Sequence, residues 1–235
     1  MRTKHWKLLP GFLLGLLVMQ AVGFGVAAAF DRYAVLLRLH WAVWLILSLA
    51  FPALGLLIMG RAEKKKQAIW YPVSYLTNAV GAGWAYGIVL AAMEPTAGDL
   101  LVSAAVPALM AVAMCLCYSL WGRTRWIAIG FTLLTVAAIF GCFVFGEGKG
   151  ALVLGSVFGL LFFASMPISC GKVLCGKDAL EQFALAGFGA YLIVVLGALV
   201  FLLEDGLDGI FEGLFEGIVD VGTGLDNQPK QTRQR

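Results

Sequence analysis

Apolar residues run through this chain in long unbroken stretches, separated by short breaks where charge or glycine collects. A helix needs about 20 mostly apolar residues to cross a hydrocarbon layer roughly 30 Å thick. Seven windows meet that length, at about 8–30, 35–60, 70–93, 100–121, 126–145, 151–174 and 183–203. Their apolar content is continuous, which predicts helices; a strand of a membrane barrel would alternate over about ten residues. Breaks such as 94–99 and 146–150 are short, so successive helices are expected to lie antiparallel as neighbours. The predicted class is all-α: a polytopic membrane helix bundle of about seven transmembrane helices, followed by a C-terminal amphipathic acidic helix.

Composition agrees. Of 235 residues, 61% are apolar and 13% charged, with a mean hydropathy of +0.89. An ordinary soluble domain has about half its residues apolar and roughly a quarter charged. A soluble fold already leaves much apolar surface in water, so the excess here is expected to face lipid. No basic run is interleaved with aromatic residues, which leaves nucleic-acid binding without support.

The net charge of +3 matters less than where the charges lie. Assigning the breaks alternately to two sides puts eleven of the seventeen basic residues on one: Arg2, Lys4, Lys7, Arg61, Lys64, Lys65, Lys66, Arg123, Arg125, Lys172 and Lys177. Only Glu63, Asp178 and Glu181 of the acids fall there. Basic residues near spans are retained in the cytoplasm, so the amino terminus is expected inside, the carboxyl terminus outside, and the membrane to be the plasma (inner) membrane. Trp6, Trp41, Trp44, Trp70, Tyr71, Trp121 and Trp126 cluster near span ends, where an amphipathic ring sits at headgroup depth. A cleaved signal peptide is the competing reading of the first span, given basic residues before it and Val26-Ala27-Ala28-Ala29 at its end. The apolar run is longer than a signal peptide's core of about 7–15 residues, and cleavage would leave the other six spans oriented as before.

Ionisable groups at membrane depth usually mark function, and the seven windows hold no Asp or Glu away from their ends. That removes the usual carboxylate of proton- or sodium-coupled transport. Arg38 and His40 lie near the start of the second span, where Arg38 can snorkel to the interface or face an anionic headgroup or substrate. The third span is the most polar. Tyr71, Ser74, Tyr75 and Asn78 share one helical face, which is expected to point inward, either bonding helices together or lining a path with Ser103 or Ser119 opposite. Pro52, Pro72, Pro107 and Pro167 fall inside spans and are expected to kink them.

Cys115 and Cys117 point about 200° apart on a helix and so cannot clamp one zinc from that helix alone. Cys170 and Cys175 flank the end of the sixth span and would be reduced, or lipidated, if that end is cytoplasmic. Asp31-Arg32-Tyr33 spells a triplet associated with G-protein-coupled receptors, but it follows the first span rather than ending the third, and the comparison fails. Phosphate-loop, zinc-protease, nucleophile-elbow and EF-hand spacings do not occur. No catalytic residue, cofactor or metal site is assigned.

Beyond residue 203 the chain repeats acid, Gly, apolar, apolar. On a helix, Glu204, Asp208, Glu212, Glu216 and Asp220 form a stripe, with Phe211 and Phe215 on the far side. Glycines and like charges four residues apart make such a helix marginal in water, so it needs a membrane surface or a partner. The polar tail from Asn227 is expected to be disordered. The functional expectation is a non-enzymatic multi-pass membrane protein, a subunit or accessory of a larger membrane assembly, that docks a protein partner through Asp208, Glu212, Glu216, Asp220, Phe211 and Phe215. The alternative is a transporter or channel for a small neutral or lipid-like molecule. The latter needs a polar cavity near Asn78; the former needs a packed interior.

Overall fold

The computed structural model describes residues 4–32, 48–91, 93–122 and 124–224; at 4, 31, 32 and 202–224 the description extends to the backbone only. A 3-10 turn, Lys4–Lys7, leads into α1 (Leu9–Arg32), followed by α2 (Ala50–Lys65), α3 (Trp70–Leu90), α4 (Ala97–Trp121), α5 (Arg125–Phe145), α6 (Gly150–Phe163), α7 (Met166–Leu174) and α8 (Ala179–Gly224). No strand occurs among the described residues. Five stretches are long and apolar enough to cross a membrane: His5–Phe30, Ala97–Trp121, Arg125–Phe145, Gly150–Leu174 and Ala179–Phe201. The fold is therefore all-α and suits an integral membrane protein.

The other two expected spans differ for separate reasons. The first part of the second, with Arg38 and His40, lies outside the described residues, and α2 supplies only its end. Helix α3 is long enough, but its tyrosines, serine and asparagine dilute its apolar content. Its burial explains that polarity, because nearly every residue from Asn78 to Leu90 is enclosed by protein and not by lipid.

Helix ends follow local chemistry. Thr96 and Asp99 form a capping box at the start of α4, the Asp99 amide donating to Thr96 and the Thr96 amide to Asp99 at 2.9 Å. Lys66 closes α2 in the left-handed conformation with Lys64 and Lys65 in the last turn, where cations offset the helix dipole. Asp178 caps α8 by accepting the amides of Leu180 at 2.8 Å and Glu181 at 3.3 Å. The prolines act more mildly than four kinks. Pro52 and Pro72 fall in first turns, where no donor is lost, and only Pro107 lies well inside a helix. Pro167 opens α7, so the expected sixth span is two helices broken at Ala164–Ser165.

The chain divides into two units, 1–198 and 199–235. In the first, α3 is central: α1 and α2 both pack along it, α4 packs on α6, and α5 covers α6 and α7. Small residues allow the closest approach. A Cβ at Gly83 would lie 2.5 Å from the Met19 carbonyl oxygen, and one at Gly87 would lie 2.7 Å from that of Gly23. In return, the ring of Tyr75 covers Gly15 and the ring of Tyr86 covers Gly23. This is the small-residue packing of membrane helices, which gain contact area where lipid provides no hydrophobic drive between them. Large apolar side chains point outward instead, including Leu17 of α1, Leu109 and Leu120 of α4, Leu133 and Phe140 of α5, and Leu196 of α8. Helix α5 is the most peripheral, with only 17% of its apolar window buried. In the second unit, residues 199–224 continue α8 as helical backbone and carry Asp208, Phe211, Glu212, Phe215, Glu216 and Asp220. The surroundings of those six side chains lie outside the description.

Gly83→Leu and Gly87→Leu must push α1 off α3, because the obstructing atoms are backbone. Each is expected to cost about 2–3 kcal/mol, measured by thermal unfolding in detergent. Gly130→Leu and Gly141→Leu on α5, where an added Cβ meets nothing within 4 Å, are expected to leave the midpoint unchanged or raised.

Candidate functional site

The polar face of α3 is where the sequence pointed first, and its residues are spent on helix contacts. Ser74, Tyr75 and Asn78 are buried, while Tyr71 is half-buried at the helix start. Ser74 Oγ donates to the Gly55 carbonyl of α2 at 2.8 Å, and Asn78 Nδ2 donates to the Ser74 carbonyl one turn back at 3.0 Å. The Asn78 amide sits against Gly55, where a Cβ would approach Nδ2 to 2.6 Å. Tyr75 stacks on Phe183 of α8 with ring centroids 3.8 Å apart. Asn78 is 1% exposed, enclosed between α2 and α3. Asn78 Oδ1 and Tyr75 Oη have no hydrogen-bond partner among the described residues.

A second buried polar group, which the sequence reading passed over, surrounds Gly155 of α6. Gln20 Nε2 of α1 donates to the Gly155 carbonyl at 2.9 Å. A Cβ at Gly155 would lie 2.8 Å from Tyr86 Oη of α3 and 2.9 Å from Ser103 Oγ of α4. Three helices thus bring polar atoms to one backbone position of a fourth, and Tyr86 Oη and Gln20 Oε1 have no hydrogen-bond partner among the described residues. The available signal was Gln20 itself, the one amide inside an otherwise apolar first span. Ser103 therefore belongs to this group.

Ser119 belongs to a third. Trp6 Nε1 donates to Ser119 Oγ at 2.8 Å, and Ser119 donates to the Cys115 carbonyl at 3.0 Å. His5 Nε2 lies 3.1 Å from that carbonyl and 3.1 Å from Ser119 Oγ. A carbonyl only accepts, so Nε2 carries the proton and donates. The serine proton is directed at a carbonyl and His5 offers it no acceptor, so this is a latch between the amino-terminal turn and α4, not a serine–histidine nucleophile. Beside it Tyr118 Oη donates to the Pro167 carbonyl at 3.1 Å, joining α4 to the first turn of α7. Cys170 meets the thiol of Cys115 across α4 and α7, and all five cysteines are free.

Charge gathers at cavities near the helix ends. A cleft of about 450 Å³ between α5 and α7 has Arg125, Lys172 and Lys177 among lining residues that are otherwise mostly apolar, with no acid. A neighbouring cavity of about 630 Å³ shares Lys177 and adds Lys7, Asp178 and Phe183. A third, of about 360 Å³, brings Glu94 and Asp99 together with Lys149. No group of three metal-ligating side chains occurs among the described residues. No family model, curated protein or solved structure matches this chain.

Ser119→Ala removes the acceptor for Trp6 and one anchor of His5. It is expected to weaken the latch by about 1 kcal/mol. A cysteine placed at Lys4 should then react faster with a water-soluble maleimide, while one placed at Lys149 should react at an unchanged rate.

Proposed function

We propose that this protein is a non-enzymatic seven-span subunit or accessory of a larger membrane assembly, and that its acidic C-terminal helix docks a protein partner. The observation that supports this reading is the packing of Asn78 against Gly55: the most polar stretch of the described helices joins α2 to α3. A transporter or channel using the same stripe would need that space open. The buried polar atoms near Gly155 and the His5 latch likewise hold helices together, and neither presents a nucleophile with its base.

The seven spans comprise the five apolar helices, α3 as the enclosed central span, and the expected second span, of which α2 is the part within the described residues. In this arrangement the end carrying Lys7, Arg125, Lys172 and Lys177 faces the cytoplasm, following the retention of basic residues there, and the membrane is the plasma membrane. The regular spacing of Asp208, Glu212, Glu216 and Asp220 supports docking, because a like-charged stripe on a glycine-rich helix is relieved by a cationic partner.

Two measurements test this. Affinity purification of the intact chain and of a version ending at Leu203 is expected to recover a partner with the first that is absent from the second; recovery of the same set with both refutes docking through the acidic helix. In a version without native cysteines, Lys64→Cys and Lys177→Cys are expected to be equally protected from an impermeant maleimide in intact cells. Labelling of one but not the other overturns the span map.

A further inference from the structure

The cleft between α5 and α7 has a composition that neither docking nor helix packing explains. Ile129, Ile168 and Leu174 make its surface apolar, and Arg125, Lys172 and Lys177 add three exposed cations. None of the three is held in an ion pair with a described residue. Asp178, the acid next to Lys177, accepts the amides of Leu180 and Glu181 at Oδ1 and lines the neighbouring cavity, not this cleft. Thr124 begins α5 without a side-chain cap, and the first turn holds no acid, so the dipole of that helix adds to the positive potential.

We propose that this cleft binds one anionic phospholipid, its phosphate held by Arg125, Lys172 and Lys177 and one acyl chain laid along Ala128, Ile129 and Ile168. The chemistry selects this occupant over others. A zwitterionic lipid satisfies the apolar surface but leaves the cations poorly neutralised. Free phosphate neutralises the cations and does nothing for the apolar surface. An acidic peptide sets its backbone polar groups against hydrocarbon-like side chains, which is costly at membrane depth. Basic pockets between helices near a headgroup layer suit an anionic lipid on both counts. This inference is independent of the acidic helix and of the orientation of the chain.

The test uses the full chain in mild detergent, titrated with dioleoyl-phosphatidylglycerol, with dioleoyl-phosphatidylcholine and with inorganic phosphate, counting bound molecules by native mass spectrometry. One phosphatidylglycerol is expected to bind at least about tenfold more tightly than phosphatidylcholine. The triple variant Arg125→Gln, Lys172→Gln, Lys177→Gln is expected to lose about tenfold or more in phosphatidylglycerol affinity while phosphatidylcholine binding stays as it was. Ala128→Trp, which fills the groove, is expected to weaken both lipids. The control triple Lys64→Gln, Lys65→Gln, Lys66→Gln should change neither. If the first triple does not fold, Lys177→Gln alone, at an exposed position, carries the same comparison with a smaller loss. Equal affinity for the two lipids, equal losses in the two triple variants, or phosphate displacing phosphatidylglycerol as well as lipid does, each overturns the proposal.

Discussion

Close approach between α1 and α3, made possible by the missing Cβ atoms of Gly83 and Gly87, is the contact on which the other helices depend. Helices in lipid gain little by hiding apolar surface from one another, so they associate where backbones can touch over a long stretch. With α1 and α3 in contact, the rings of Tyr75 and Tyr86 have room only over Gly15 and Gly23, and from there they reach α8 and α6. The tyrosines thus carry the order set at one helix pair outward to the rest of the bundle.

Polar atoms inside this bundle follow the same rule of scarcity. Gln20, Ser74 and Tyr118 each donate to a backbone carbonyl of another helix, while Asn78 donates to one of its own. Interhelical bonds of this kind contribute modestly, roughly 0.6 kcal/mol on average, because the separated helices also find partners. Their larger effect is on register: Gln20 matches α1 to Gly155, Ser74 matches α3 to Gly55, and Tyr118 matches α4 to the first turn of α7. The oxygens without partners among the described residues, on Tyr75, Asn78, Tyr86 and Gln20, are buried among these same helices. They are the polar remainder of a region built mainly for contact.

Charge is kept away from that region and collected near helix ends. There it follows the helix dipoles at several places, with Asp99 opening α4, Asp178 opening α8 and lysines closing α2. The start of α5 departs from this pattern, having Arg125 and neither an acid nor a side-chain cap. A positive dipole end beside three cations is an unfavourable local arrangement, and an anion held there relieves it.

Much of the architecture was legible in the order of residues alone. Long apolar runs gave the all-α bundle, and the ends of α1, α4 and α5 fall within a few residues of where the runs stop, because hydrocarbon thickness sets span length whatever the fold. The inward face of α3 was legible too, since helical periodicity puts Ser74, Tyr75 and Asn78 together. Periodicity does not say what covers a face. That Asn78 meets Gly55, that Ser103 joins Gln20 and Tyr86 around Gly155, and that Cys170 meets Cys115 were decided by which helices became neighbours. Pro167 signalled an interruption of the sixth span, but that it takes the form of a break at Ala164–Ser165 was decided by the fold, and the cleft was hidden because Arg125 and Lys172 lie 47 positions apart in the chain. Hydropathy is a property of residues taken along the chain, whereas neighbours in space follow from the shapes of helix surfaces, and only packing brings those together.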